Sequence, residues 1–290
     1  RASARVVNPS TLQTATSDLY NNVDYYNLRL LWRAGLSAEM SGFRFGLAAT
    51  TPSISLAGDA TVDRDFTLTG YDFSGDRVPD GIVANDRQDN LDAEFRSPAS
   101  LAAGVEFDVT PSTRLGLTAE WFGGVGTYEV VNAKGGDFVR PVGLGTLAGI
   151  AGSDEFLKVV HGSDSVVNFA VGVEQDFCDS YKGYFAIRTD FENAQKLQDD
   201  TDGITLGYSD WDIYHVTTGL TYEDENSILA VGLEYSFGSE DRDSRDIDLT
   251  SPSDLNFLFG PGGEAKYNYD EIKLLFGYTY FFGSESGTKS

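Results

Sequence analysis

Leu101-Ala-Ala-Gly-Val-Glu-Phe-Asp-Val-Thr-Pro-Ser-Thr-Arg-Leu-Gly-Leu-Thr-Ala-Glu-Trp121 reads as a complete β-hairpin. Leu101, Ala103, Val105, Phe107 and Val109 fall on every second position, and Ala102, Gly104, Glu106 and Asp108 fall between them. Successive side chains of a strand point to opposite faces, so this spacing sorts apolar from small or charged residues. Thr110–Thr113, with Pro111 and Ser112, has turn chemistry. Leu115, Leu117, Ala119 and Trp121 then resume the alternation against Gly116, Thr118 and Glu120.

The same pattern recurs along the chain. Tyr26, Leu28, Leu30, Trp32, Ala34 and Leu36 stand opposite Asn27, Arg29, Arg33 and Ser37. Val167, Phe169, Val171 and Val173 alternate with Asn168, Ala170, Gly172 and Glu174. Leu229, Val231, Leu233, Tyr235 and Phe237 alternate with Ala230, Gly232, Glu234 and Ser236. Ile272, Leu274, Phe276, Tyr278, Tyr280 and Phe282 form the last apolar row.

A soluble sandwich and a membrane barrel both give such alternation. Two features favour the barrel. The apolar rows end in aromatics such as Trp32, Trp121, Phe177, Tyr235 and Phe237, as interfacial girdles do. Connections also alternate in length. Short turns fall at Ser41-Gly42, Thr110–Thr113, Cys178–Lys182 and Glu223–Ser227; long loops fall at 74–90, 131–163, 195–209 and 239–266. In outer-membrane barrels the periplasmic turns are short and the outer loops long. The expected strands are 24–38, 43–73 (with kinks at Pro52 and Gly58), 91–108, 114–130, 164–177, 183–194, 210–223, 227–238 and 267–282. Residues 1–23 read as an extracellular loop or partial strand, 24–282 as the barrel and 283–290 as a C-terminal tail. About nine strands is an odd number where single-chain bacterial barrels use an even one, so further strands are expected.

Composition is compatible with this. The 290 residues include 32 Gly, 15 Tyr and 19 Phe, with 45 acidic against 21 basic residues and a net charge of −24. No run approaches the roughly 18 apolar residues of a transmembrane helix, whereas a barrel strand needs only about 9–11. The acidic balance excludes nucleic acid as a partner. A single cysteine, Cys178, excludes an internal disulfide framework.

The quoted hairpin, taken back to Phe95-Arg-Ser-Pro-Ala-Ser, resembles the long-chain fatty acid transporter (FadL-like) family of outer-membrane proteins. Trp32-Arg-Ala-Gly-Leu36, Phe43-Arg-Phe-Gly-Leu47, Leu56-Ala-Gly-Asp-Ala60, Phe169-Ala-Val-Gly-Val-Glu174 and Val231-Gly-Leu-Glu-Tyr235 resemble other strands of that family, over about residues 24–282. The resemblance implies a barrel of about fourteen strands, plugged by an N-terminal hatch, in a Gram-negative outer membrane. It also implies passage of hydrophobic molecules such as fatty acids. The family's Asn-Pro-Ala element and kinked lateral-exit strand have no match in this chain. A structural or secretion-associated barrel and a general porin are the alternatives. Outer-membrane lipid and lipopolysaccharide are the expected partners.

Two sets of residues are candidates for function. Arg29, Arg33, Arg44, Glu106, Glu120, Glu174, Arg188 and Glu234, with Asp190, fall on the polar face. They read either as a lane for a carboxylate or as lumen charges that pair with one another. Phe138, Val142, Leu144, Leu147, Ile150, Phe156 and Leu157, with Leu255, Phe257, Leu258 and Phe259, make two loops unusually apolar. They read either as a greasy ligand groove or as loops packed together. Acidic runs at Asp199, Asp200 and Asp202 and at Glu240, Asp241, Asp243, Asp246 and Asp248 could hold Ca²⁺ but lack EF-hand spacing. No other cofactor is expected. His161 and His215 stand apart in the sequence, and no Ser/His pair has a catalytic context, so the chain is not read as an enzyme.

Overall fold

A computed structural model describes residues 2–7, 14–71, 78, 80–139, 152–195, 203–206, 211–244 and 263–282. In chain order the strands are β1 (Ala2–Val7), β2 (Thr14–Leu30), β3 (Arg33–Met40), β4 (Phe43–Thr50), β5 (Ile54–Tyr71), β6 (Asp80–Leu91), β7 (Ser100–Thr110), β8 (Thr113–Phe122) and β9 (Val125–Val131). A single-turn helix, α1 (Ser153–Phe156), precedes β10 (Val159–Ser163), β11 (Val166–Cys178), β12 (Tyr181–Asp190), β13 (Ile204–Thr205), β14 (Ile213–Asp224), β15 (Ser227–Ser244) and β16 (Gly263–Tyr280).

These strands form an all-β structure of three sheets. The large sheet has nine strands in the order β16-β15-β14-β12-β11-β8-β7-β4-β3. Every neighbouring pair in it is antiparallel. The register carries one apolar face across the whole sheet. Phe45 opposes Val105, Val105 opposes Leu117, Leu117 opposes Val171, and Val171 opposes Ile187. Ile187 then meets Val216, Val216 meets Tyr235, and Tyr235 meets Ile272. This face lies open: Leu36 is 72% exposed, Ile272 71%, Leu274 77% and Phe276 74%. An open apolar surface of this extent would be an aggregation hazard in water, and it suits hydrocarbon. Aromatics edge it at both ends, with Phe107, Phe177, Tyr222 and Tyr280 toward the short turns and Trp121, Tyr214 and Phe237 toward the other end. The sheet is the wall of a transmembrane barrel.

Nine antiparallel strands leave the two edges, β3 and β16, running in the same direction. A direct β3–β16 pairing would therefore be parallel. An all-antiparallel closure requires an odd number of further strands between them. Edges left open in hydrocarbon would strand their N–H and C=O groups.

The short turns lie where the sequence places them. Ser41-Gly42, Pro111-Ser112, Asp179-Ser180 and Glu225-Asn226 each join two neighbouring strands of the large sheet. At the opposite end the chain leaves that sheet at a row of breaks: Leu31-Trp32, Thr51-Pro-Ser53, 92–99, Gly123-Gly124 and Asp164-Ser165. Pro52 and Pro98 supply no N–H to a ladder, which is one reason the strands cannot run through here. Hydrogen bonds bridge the breaks, from Thr51 N–H to the Trp32 carbonyl (2.9 Å), Ser53 N–H to the Ser97 carbonyl (3.1 Å) and Gly123 N–H to the Ala99 carbonyl (2.8 Å).

Beyond the breaks stands a compact outer module. It has a four-stranded sheet, β1-β2-β5-β6, and a three-stranded sheet, β13-β10-β9. Between them lies the buried core: Ala60, Val62, Phe66 and Leu68 of β5, Ala84 and Leu91 of β6, Val130 and Val131 of β9, and Phe138, Phe156, Leu157, Val159 and Ile204. Arg64 falls on the same inward face as Val62 and Phe66. Its guanidinium donates to the Phe156 carbonyl (3.0 Å) and lies over the Phe156 ring. The buried charge thus satisfies a carbonyl at the end of α1 that the helix itself cannot. Apolar residues face outward in the wall; in the module Val62, Phe66 and Leu68 face inward, while Leu28, Leu30, Ile54 and Leu56 beside the breaks stay exposed as in the wall.

Several expectations need correction. Residues 74–90 are not all loop, because Asp80–Leu91 is β6. The expected 239–266 loop is shorter, since β15 continues to Ser244 and β16 begins at Gly263. Within residues 1–23, Ala2–Val7 form β1 and Thr14 begins β2. The tail 283–290 lies outside the described residues. The expected strand 43–73 is two strands in different sheets, separated at Pro52 as anticipated.

At Gly58 β5 continues as a strand, with a register irregularity just before it, between Ser55 and Ala57. Gly58 also allows a close approach. A Cβ there would lie 1.9 Å from the Ala93 carbonyl oxygen, and the Asn27 amide reaches that same oxygen at 3.0 Å. Gly58→Ala should therefore lower the stability of the outer module by about 1–3 kcal/mol, the usual cost of forcing atoms into a packed site. Amide hydrogen exchange should show faster opening of β5 and β6 with β15 and β16 unchanged. Unchanged exchange throughout would refute the close-approach role.

Candidate functional site

The polar face of the wall carries two charge clusters. In the first, Arg44 reaches Glu39 (3.2 Å), Glu106 (3.8 Å) and Asp108 (3.9 Å), and Arg114 bridges Asp108 (3.1 Å) to Glu174 (3.1 Å). In the second, Glu234 accepts from Thr217 (3.2 Å) and pairs with Lys273 (3.4 Å), which also holds Glu271 (2.8 Å). Arg188 stands opposite His215 in the register, and Glu120 opposite Asn168 and Ala102. Arg33 lies on exposed β3. Arg44, Glu106, Glu174 and Glu234 are thus brought into one lumen lining, but Arg44 is surrounded by carboxylates of the protein itself. An incoming carboxylate would have to compete with them. Cross-strand pairing is what the geometry displays. Arg114 and Lys273 belong to this lining and were not singled out from sequence, although alternation places each on the polar face.

Arg29 is drawn elsewhere. It donates to Ser97 Oγ (2.7 Å) and lies over the Phe95 ring at 5.0 Å. It holds the β6–β7 link in place rather than joining the lane.

Of the apolar loop residues, Phe138, Phe156 and Leu157 are buried in the module core, with the Phe138 and Phe156 rings stacked 4.5 Å apart. They are packing residues whose surfaces are taken up by protein. For these three, the groove reading is corrected: a core residue fills the space a ligand would need. Val142, Leu144, Leu147, Ile150, Leu255, Phe257, Leu258 and Phe259 lie outside the described residues, as do Asp199, Asp200, Asp202, Asp246 and Asp248. Glu240, Asp241 and Asp243 stand on β15. Among the described residues no group of three or more His, Cys, Asp or Glu is placed to hold a metal ion.

The site that the sequence does not reveal lies at the junction of wall and module. Four separate segments line a half-open cavity of about 230 Å³: Phe95 to Pro98, His161 and Ser163, Asp190 to Ala194, and Trp211. Its walls are tied together. Phe95 N–H donates to Asn27, Arg96 N–H to the Tyr128 hydroxyl (2.8 Å), Phe191 N–H to Asn168 (2.8 Å), and Asp164 N–H to the Asn193 carbonyl (2.7 Å). The rings of Phe95 and His161 lie 4.9 Å apart. His161 Nδ1 is 3.2 Å from the Leu206 carbonyl, and burial lowers its pKa below the ordinary imidazole value, so it is neutral at pH 7. A second opening of about 730 Å³ shares Arg96, Ser97 and Pro98 with the first and is lined further by Pro52, Ile54, Trp121 and Gly123-Gly124. Ile54 and Trp121 are exposed on the apolar side.

His215 is buried on the polar face, as alternation implies. Its Nδ1 lies 2.7 Å from Ser236 Oγ and 3.6 Å from Glu234. Serine and carboxylate converge on one nitrogen. A nucleophile relay needs them on opposite nitrogens of the ring, so this cluster is not arranged for that chemistry.

No protein-family model matches the chain, and no curated protein matches it. Among solved structures it is similar to the CymD monoaromatic hydrocarbon channel. The identity is 11%, the TM-score is 0.42, and the alignment covers 93% of this chain and 69% of that one. A likeness at that level shows neither family nor activity.

The depressed pKa of His161 has a stability consequence. In the unfolded chain the imidazole takes a proton near pH 6.5, but the folded module resists doing so. Stability is therefore intact above that pH and falls as the pH drops toward the lowered folded value. His161→Phe keeps the ring against Phe95 and removes the titration. Thermal melts of wild type should fall more between pH 7.5 and 5.5 than those of the variant. Parallel curves would show that the burial of His161 has no such effect.

Proposed function

We propose that this chain forms part of an outer-membrane channel that takes up hydrophobic small molecules, with long-chain fatty acids among the candidate cargoes. The observation that carries this reading is the paired openings at the junction. One is aromatic-lined and sits beneath the outer module. The other adjoins it across Arg96, Ser97 and Pro98 and gives onto the apolar side of the wall. An apolar solute captured at the first would reach hydrocarbon through the second without crossing the charged lumen. Such a route suits solutes that lose free energy on leaving water, at roughly 25 cal/mol per Å² of apolar surface.

The charged lining of the polar face supports a limited role for the lumen. Arg44 and Arg114 are engaged with carboxylates, and such pairs hold a wall together across strands while offering little to an apolar cargo. Outer-membrane lipid and lipopolysaccharide are the surroundings that the exposed apolar face fits.

Expression in a Gram-negative host with an intact lipopolysaccharide leaflet should raise the initial uptake rate of a radiolabelled, water-insoluble compound. Purified protein in planar bilayers should leave ionic conductance at background. Stable ohmic conductance with no gain in uptake would overturn the proposal in favour of a general porin.

A further inference from the structure

We propose that the junction cavity is an aromatic cage for an organic monocation, with Asp190 as its counter-charge. The ligand class is a molecule with an alkylated ammonium head, such as a trimethylammonium compound. This deepens the uptake reading and rests on it for its physiological meaning, although the binding itself does not require flux.

Phe95, Phe191 and Trp211 reach the cavity from three different segments, beside the His161 imidazole. The face of an aromatic ring is negative and its edge positive, so a cation over the face is attracted. This part of the molecule already uses that attraction for its own cations. Arg29 lies 5.0 Å over Phe95, and Arg96 lies 4.6 Å over Tyr128. The rings are also braced from outside the lining. Phe191 meets Tyr214 edge-on at 6.0 Å, and Trp211 stacks on Tyr269 at 5.7 Å. A cage held in place before its ligand arrives costs less to order.

The lining is poor in free donors. The backbone N–H groups of Phe95, Arg96, Ser97, Phe191 and Glu192 are each spent on a partner outside it. Pro98 has none. An anion needs such donors and would find them taken. Arg96 is the basic residue of the lining, and Glu94 matches its charge at 2.9 Å. Burial keeps His161 neutral. Asp190 stands exposed at the end of β12. Among the described residues its carboxylate makes no hydrogen bond or ion pair, so its charge is left for a ligand.

Size and hydration select the kind of cation. At about 230 Å³ the cavity is somewhat larger than the on the order of 150 Å³ that holds benzene in an engineered apolar site. A nitrogen with three methyl groups is about as bulky as such a ring. A metal ion needs several oxygen ligands to replace its water. Among the described residues no three His, Cys, Asp or Glu are grouped for that. An alkylated ammonium spreads its charge over its methyl groups and gives up water readily, so rings and one carboxylate suffice. The open side of the cavity leaves room for whatever else the nitrogen carries.

Choline and 3,3-dimethyl-1-butanol have the same shape, with carbon replacing nitrogen in the second. Calorimetric titration of each into the purified full-length chain, in a non-ionic detergent, separates charge from bulk. Choline should bind saturably and about tenfold more tightly than the alcohol. Asp190→Asn should weaken choline about threefold to tenfold and leave the alcohol unaffected. Phe191→Leu keeps apolar bulk and removes the ring face, so it too should weaken choline alone. A circular-dichroism spectrum matching wild type would show that each variant is folded, and Trp211→Leu repeats the test at a second wall of the cage.

Equal affinity for choline and the alcohol would overturn the proposal in favour of a simple apolar cavity. Choline affinity that survives Asp190→Asn, or that survives both ring variants, would overturn it as well. Tighter binding of 3,3-dimethylbutanoate than of choline would overturn it in favour of an anion site. Uptake of a water-insoluble compound without choline binding would remove the cage while leaving the channel reading in place. Choline binding without such uptake would do the reverse.

Discussion

A backbone N–H or C=O group left unpaired in hydrocarbon costs several kcal/mol, and the wall of this protein is organised around avoiding that cost. Each strand of the large sheet is laddered to its neighbours, and short turns close one end without long excursions. Once the backbone is satisfied, the side chains are free to answer to the solvent on each side. Phe276 and Leu274 face outward in a way that water would not tolerate. Glu234 and Lys273, one residue along or directly across, face inward where water and counter-charges are present. The parallel direction of the two edges follows from the same ladder, and so does the need for an odd number of strands between them.

Above the row of breaks the rule inverts. Val62, Phe66 and Leu68 alternate just as the wall strands do, but they are buried between two small sheets. The change of solvent explains the change of architecture. Outside the membrane an apolar face must be covered by protein, and a second sheet supplies the cover. Pro52, Pro98 and Gly123-Gly124 stand at the boundary, where ladders end and segments from distant parts of the chain converge. The junction cavity lies at that hand-over: it is the space left between the end of β12 in the nine-stranded sheet, β10 in the three-stranded sheet and the segments that connect the strands there.

Much of the wall was legible in the sequence, and little of the site was. Alternation such as Leu229 to Phe237 fixes which face is apolar without any knowledge of neighbours, because the period of a strand is two. Turns such as Thr110–Thr113 declare themselves by residue type. The same alternation misleads at Ala60 to Leu68, where it reads as part of one long membrane strand; periodicity reports an apolar face but not whether lipid or protein covers it. At Gly58 the sequence shows a glycine within a strand but not what it approaches, since a residue 35 positions later leaves no local trace. Phe156 and Leu157 suggested a groove because greasy loops do so equally whether they bind or pack. Phe95, His161, Asp190 and Trp211 come together only through the fold, and no spacing in the chain anticipates them.

The central claim is that the large sheet spans a membrane with one face in lipid and the other in water. Single cysteines at Val231→Cys, Gly232→Cys, Leu233→Cys, Glu234→Cys and Tyr235→Cys, made with Cys178→Ser and spin-labelled in lipid bilayers, test this directly. The account predicts that labels at 231, 233 and 235 are relaxed by oxygen dissolved in the lipid and those at 232 and 234 by a water-soluble nickel complex, alternating along the strand. Labels at all five positions relaxed equally by the nickel complex would contradict it.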